Sequence, residues 1–212
     1  MTSPVIVGFD GSAPSKAAVG FGAAEAERRN CPLHLCHAFS WPLLYPLFDP
    51  ADALPDHGPR VRILELLNET ADELRRARPG LSVAAHLLDG SPGGVLVNAS
   101  ADADLLVVGH RGLGGFTGLL AGSVGVQAAG HARCPVVVVR GTPAADGSPI
   151  VAGVDGSAGG YRAAVAAFEQ AQRQRVELFV LQVCPSDTRR HALLSGVASS
   201  AQGARRDRGR FG

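Results

Sequence analysis

The chain has 212 residues, enough for one domain of ordinary size and part of a second. Apolar residues make up 46% and aromatics only 5%, so the expected core is aliphatic strands backed by Ala-rich helices, an α/β composition. A net charge of +1 excludes a whole-chain field that would draw the protein to nucleic acid or a membrane surface; beyond residue 184, six Arg against two Asp hold a local +4 and leave −3 to the rest.

Short continuous apolar runs alternate with longer helical patterns, as in βαβ units feeding a parallel sheet covered on both faces. The first strand is expected over Pro4 to Phe9. A helix over Ala13 to Asn30 follows, with Ser12 placed to cap it, and then a strand over Leu33 to Ala38. Between Phe39 and Gly58, Pro42, Pro46, Pro50 and Pro55 forbid a regular helix or central strand; with Trp41, Tyr45 and Phe48 the segment reads as a surface flap. The second helix spans Pro59 to Arg78 and the third strand Leu81 to Leu88. Ser91 and Pro92 mark the start of the third helix by the preference for Ser at the cap and Pro just inside it. A fourth strand over Leu105 to Gly109, a helix over Gly118 to Ala132 and a fifth strand over Val136 to Arg140 complete the set.

The chain then repeats itself. Val5 to Ala38 aligns with Ile150 to Val183 without a gap at an offset of 145, so that Gly8, Asp10, Gly11 and Ser12 recur as Gly153, Asp155, Gly156 and Ser157. This sets the expected organisation: a first domain over 1–140, a linker over 141–149, a truncated second repeat over 150–184 and a disordered basic tail over 185–212. A β-α-β fragment cannot bury both faces of its sheet alone and is expected to dock on the first domain, pair with another chain or remain partly unfolded.

The stretch that carries chemistry is Gly109-His110-Arg111-Gly112, then nine residues, then Gly122-Ser123. It runs from the end of the fourth strand into the fourth helix. In an open α/β sheet a glycine-rich turn there presents backbone N–H groups to phosphate oxygens. Other readings fail. There is no Gly-Lys-Ser or Gly-Lys-Thr for a P-loop, and Thr117 stands where a dinucleotide fingerprint from Gly112 needs its last glycine. Ala121 to Gly125 lacks the preceding strand of a nucleophile elbow. His34, His37, His110 and His131 have no metal-ligand spacing, so no metal site is expected. Cys31, Cys36, Cys134 and Cys184 form no CxxC pair and read as reduced structural thiols. No window approaches the roughly 18 apolar residues of a membrane helix, and the opening MTSPVIVGFD has no signal-like pattern; the expectation is a cytoplasmic protein without membrane insertion.

The spacing Gly, two residues, Gly, nine residues, Gly-Ser, together with the opening VIVGFDGS and the ending GHARCPVVVVR, resembles the ATP-binding branch of the universal stress protein family. The resemblance covers residues 1 to 140 fully and 149 to 183 partially. It implies an open five-stranded parallel sheet in the order 3-2-1-4-5, flavodoxin-like, with helices on both faces. It further implies ATP as ligand, with Mg2+ brought by the phosphates. Asp10 and the backbone from Gly8 would meet the adenine and ribose, and Ala38 would line the adenine pocket. Gly109, Arg111 and Gly112 would wrap the ribose and phosphates, with His110 within approach of them, and Gly122, Ser123 and Val124 would hold the terminal phosphates. Homodimerisation through Val136 to Val139 and an unidentified regulatory protein partner are implied too; no specific nucleic acid is. Since the motif supplies no general base, the expected role is a nucleotide-sensing regulator, at most a weak Mg-dependent ATPase. The competing readings are an interaction module with a vestigial site and a slow self-phosphorylating enzyme.

Overall fold

The computed structural model describes residues 2–40, 58–112, 122–141 and 147–182, which fall into two compact units divided between residues 143 and 144. In the first unit the elements run β1 (Val5–Gly8), α1 (Ala13–Arg29), β2 (Leu33–Phe39), α2 (Pro59–Ala77), β3 (Val83–Asp89), α3 (Pro92–Ala99), β4 (Leu105–Gly109), α4 (Ser123–His131) and β5 (Val136–Val139). The five strands form one parallel sheet in the order β3-β2-β1-β4-β5. Val5 pairs with Leu33 on one side of β1 and with Leu105 on the other, which makes β1 the central strand.

Local chemistry sets the ends of these elements. Ser12 caps α1 by accepting from the Ser15 amide, and Asn30 closes the helix in the left-handed region, which Asn tolerates better than most residues. Pro59 and Pro92 each sit in the first turn of a helix, where the missing N–H costs nothing. Ser91 occupies the cap position of α3, but its side chain makes no capping hydrogen bond. The third strand begins at Val83 rather than Leu81, because the Leu81 amide is taken by the turn carbonyl of Arg78. The flap reading for residues 41–57 lies outside the described residues. The fourth helix, expected to be under way by Gly118, begins at Ser123, because Gly122 is extended at ψ 166° and serves as its cap; residues 113–121 lie outside the described residues.

Strand alternation sends side chains to two cores. Val5, Val7, Leu33, Leu35 and Val107 pack under α1 and α2 with Ala23, Leu67 and Ala71, all essentially buried. Ile6, Cys36, Leu106 and Val108 pack with Leu96 of α3 and Ala128 of α4 on the other face. Cys31 and Cys36 are free and buried, and Cys134 is free and half-buried. Among the described residues no helix is long and apolar enough to cross a membrane.

The second unit contains β6 (Ile150–Val154), α5 (Ala158–Gln174) and β7 (Leu178–Gln182), with β6 and β7 paired in parallel. Its turns reproduce those of β1-α1-β2. Gly11 and Gly156 both have φ +81°, a region that favours glycine. The Ser12 amide donates to Asp10 Oδ1 at 3.0 Å and the Ser157 amide to Asp155 Oδ1 at 2.9 Å. Asn30 and Arg175 close α1 and α5 with φ of 50° and 55°. The sequence repeat is thus a repeat of backbone conformation.

Candidate functional site

All five strands of the first unit point their carboxyl ends to one edge, and β1 and β4 are neighbours whose flanking connections leave in opposite directions. A crevice opens at such a switch point. Here it is a cavity of about 870 Å³. Its walls come from the end of β1 (Gly8, Asp10), the end of β2 (His37, Ala38), the turn after β4 (Gly109, Arg111, Gly112) and the start of α4 (Gly122, Ser123, Val124). Nine of the ten residues singled out from the sequence therefore meet around one space.

The glycines are held there for different reasons. A Cβ on Gly109 would stand 2.7 Å from the backbone carbon of Pro14, so the turn after β4 lies directly against the first turn of α1. A Cβ on Gly112 would stand 2.5 Å from Asp10 Oδ2. The nearest atom to a Cβ on Gly122, in contrast, is the His110 carbonyl oxygen at 3.5 Å, an ordinary contact, and its φ is −69°. Neither packing against the described residues nor backbone conformation requires glycine at 122.

Gly122 is the cap residue of α4, extended at φ −69° and ψ 166°, with no side-chain capping bond and no acidic residue in the first turn. Its own amide donates to the His110 carbonyl at 2.8 Å, and the first intrahelical bond comes from the Val126 amide at 3.0 Å. Among the described residues, a helix start of this kind leaves its first-turn amides as orphan donors at the positive end of the dipole. Ser123 is the first helical residue and not the cap, so its hydroxyl is not used to close the helix.

His110 is the residue that does not join the others. Its amide donates to the Val139 carbonyl at 2.9 Å, and its ring Nδ1 lies 3.3 Å from the same oxygen. A carbonyl only accepts, so Nδ1 carries the proton there. The pairing of β4 with β5 turns the ring toward Val139, and His110 is not part of the cavity wall.

The structure also adds residues that pattern reasoning passed over. His37 sits on the cavity wall, with Nδ1 buried and without a hydrogen bond. Burial holds its pKa below the ordinary value, against the Phe9 carbonyl and the Asp10 carboxylate, which pull it upward. Its signal in the sequence is adjacency to Ala38 at a strand end. Ser15, Leu96, Gln127 and His131 line the space from α1, α3 and α4, which no local pattern announces. Cys36 also lines it, but burial pushes its thiol up to about 11, which keeps it protonated and unreactive. Arg111 Nε is buried with no hydrogen-bond partner. Among the described residues, Asp10 is the single carboxylate on the wall. Among the described residues no group of three or more His, Cys, Asp or Glu is arranged to hold a metal ion.

A doubly wound parallel sheet whose switch-point crevice is lined by glycine turns and an uncapped helix start defines the class: an open α/β domain with a cavity at its carboxyl edge. Residues 1–140 match the universal stress protein family, and the chain belongs to it. Universal stress protein Rv2623 of Mycobacterium tuberculosis is 37% identical over 189 residues, 84% of this chain and 62% of that protein, so the chain spans less than two thirds of this relative's length. The crystal structure of a universal stress protein from Archaeoglobus fulgidus DSM 4304 covers 88% of this chain and 67% of that one, at 17% identity and a TM-score of 0.69. Universal stress protein UspA from Lactobacillus plantarum covers 65% of this chain and 97% of its own, at 18% identity and a TM-score of 0.56. At those identities the two structures speak to the fold.

Proposed function

We propose that residues 1–140 bind an adenine nucleotide, ATP accompanied by Mg2+, and act as a nucleotide-sensing regulator in stress response or dormancy. The observation that carries this reading is the uncapped start of α4, with Gly122, Ser123 and Val124 on the wall of an 870 Å³ cavity at the switch point. Orphan amides at a positive helix end favour phosphate, and a cavity of this size is ample for a small organic ligand. Asp10 and Ala38 then take the ribose and adenine side, while Gly109, Arg111 and Gly112 take the middle of the ligand. The phosphates supply oxygen ligands to Mg2+. The carboxylate on the wall, Asp10, is engaged by the Ser12 amide, which argues for slow turnover at most.

The remaining parts of the reading follow from the same residues. Residues 150–184 are a second, partial universal stress repeat joined by a linker over 141–149. β5 lies at the edge of the sheet and pairs on one side only, which supports a homodimer through Val136 to Val139. A regulatory protein reads the nucleotide state, and the protein works in the cytoplasm. Calorimetric titration of the purified chain with ATP and Mg2+ tests the core of the proposal, with Gly122→Glu as control. One saturable site per chain, lost in the variant, is expected. Folded protein that takes up no nucleotide would leave an interaction module instead.

A further inference from the structure

Two of the three buried side-chain nitrogen or oxygen atoms left without a hydrogen bond among the described residues belong to residues on the cavity wall, His37 and Arg111. A guanidinium nitrogen withdrawn from water and unpaired is costly, and the cost is recovered when an acceptor, best of all an anion, arrives. Arg111 is also fixed relative to the helix start. Its Cα lies 3.6 Å from where a Cβ on Gly122 would stand, and the Gly122 amide is bonded to the preceding carbonyl of His110. The guanidinium and the orphan amides of α4 therefore grow from adjacent backbone, while Asp10, the carboxylate of the wall, has one oxygen on the Ser12 amide and the other against Gly112. No ion pair joins Arg111 to another described residue.

Two neighbouring devices for negative charge are more than a single phosphate needs. We infer that Arg111 is the residue that makes the site distinguish nucleoside triphosphates from the monophosphate and the bare nucleoside, by donating to phosphate oxygens between the ribose and the α4 amides that only the longer tail supplies. The inference rests on the nucleotide reading above and goes past it, because a site using the helix start alone would gain far less from each added phosphate. A charge-assisted bond to a buried donor is a strong contact, and its removal is felt by the ligand that makes it and not by one that does not reach it. Arg111 is a ligand-contacting residue in this account, and Lys, a point charge without the planar fork, replaces it only in part.

The test is calorimetric titration of the full chain and of Arg111→Ala and Arg111→Lys with ATP plus Mg2+, ADP, AMP and adenosine. Thermal melting of each variant without ligand verifies folding, and if Arg111→Ala melts early the Arg111→Lys protein carries the comparison. Expected is a loss of ATP affinity of about tenfold or more in Arg111→Ala, a smaller loss for AMP, unchanged adenosine affinity and an intermediate ATP affinity in Arg111→Lys. Equal weakening of ATP and adenosine, or no weakening of ATP while it still binds, overturns the role of Arg111 and leaves the nucleotide reading standing. Wild-type protein that binds none of the four ligands overturns both.

Discussion

Asp10 Oδ2 stands 2.5 Å from the point a Cβ on Gly112 would occupy, so these two residues, a hundred positions apart, compete for one volume at the mouth of the cavity. The other oxygen, Oδ1, is held by the Ser12 amide at 3.0 Å. Gly112→Ala must therefore push the carboxylate off its place. Because Gly112 is exposed, the fold is expected to survive with a melting change worth under about 1 kcal/mol. Nucleotide affinity, measured by calorimetry, is expected to fall about tenfold as the proposed ribose contact is displaced.

Gly109 and Gly122 separate folding from binding. Gly109→Ala collides with the backbone of Pro14 and is expected to cost about 1–3 kcal/mol in urea unfolding, as overpacking does. Gly122→Ala meets no atom closer than 3.5 Å and is expected to cost no more than about 1 kcal/mol, the part that comes from the preference for Gly over Ala at a helix cap. It should nonetheless weaken ATP, whose phosphates the proposal places against that position. A Gly122→Ala protein with unchanged ATP affinity would count against phosphate at the α4 start.

Glu25 is fully buried in α1, where it accepts from Arg28 Nη1 at 2.6 Å and from Arg29 Nε at 3.2 Å, while Arg29 Nη1 reaches Asp104 Oδ2 at 2.5 Å, just before β4. This network ties the helix to the strand that carries the glycine turn. Glu25→Ala leaves the nearly buried Arg29 without one of its partners and is expected to destabilise by about 3 kcal/mol. Arg78→Ala, which removes an exposed partner of Glu27, should cost less than about 1 kcal/mol and serves as the comparison.

Acid should weaken the fold through the histidines of β2. Burial, with a smaller contribution from the charge on His86, lowers the pKa of His34 below its ordinary 6.5, and the two rings sit with centroids 4.8 Å apart. Burial lowers His37 as well. A base that is harder to protonate when folded binds more protons unfolded, so stability is complete above about pH 6.5 and declines as pH falls below it, levelling only at the folded value. Urea midpoints at pH 7.5 and 5.5 should differ in that direction, and His34→Gln should shrink the difference.

The Val139 carbonyl accepts from the His110 amide, which places the polar groups of Val137 and Val139 toward β4 and those of Val136 and Val138 toward the open edge. Val138→Pro removes an outward N–H and no bond to β4, which an edge strand tolerates. If β5 is the proposed dimer edge, light scattering should find the wild type dimeric at micromolar concentration and Val138→Pro monomeric with its far-ultraviolet circular dichroism intact.

The alternation of apolar runs with helical patterns determined the α/β architecture, because the central strands β1 and β4 are buried on both faces and so read as continuous apolar runs. The caps at Ser12 and Ser157 and the glycine turn were legible for the same reason: they are short-range chemistry, decided within three or four residues. The tertiary structure decided what those residues face. His110 lies between two glycines of the motif, yet its ring is claimed by Val139, 29 residues on, through the pairing of β4 with β5. Gly109 is required by Pro14, Gly112 by Asp10, and Gly122 by nothing among the described residues, although the spacing presents the three as alike. The orphaned nitrogens of His37 and Arg111 are likewise products of burial, which depends on how distant segments close over a side chain and leaves no periodic trace in the chain itself.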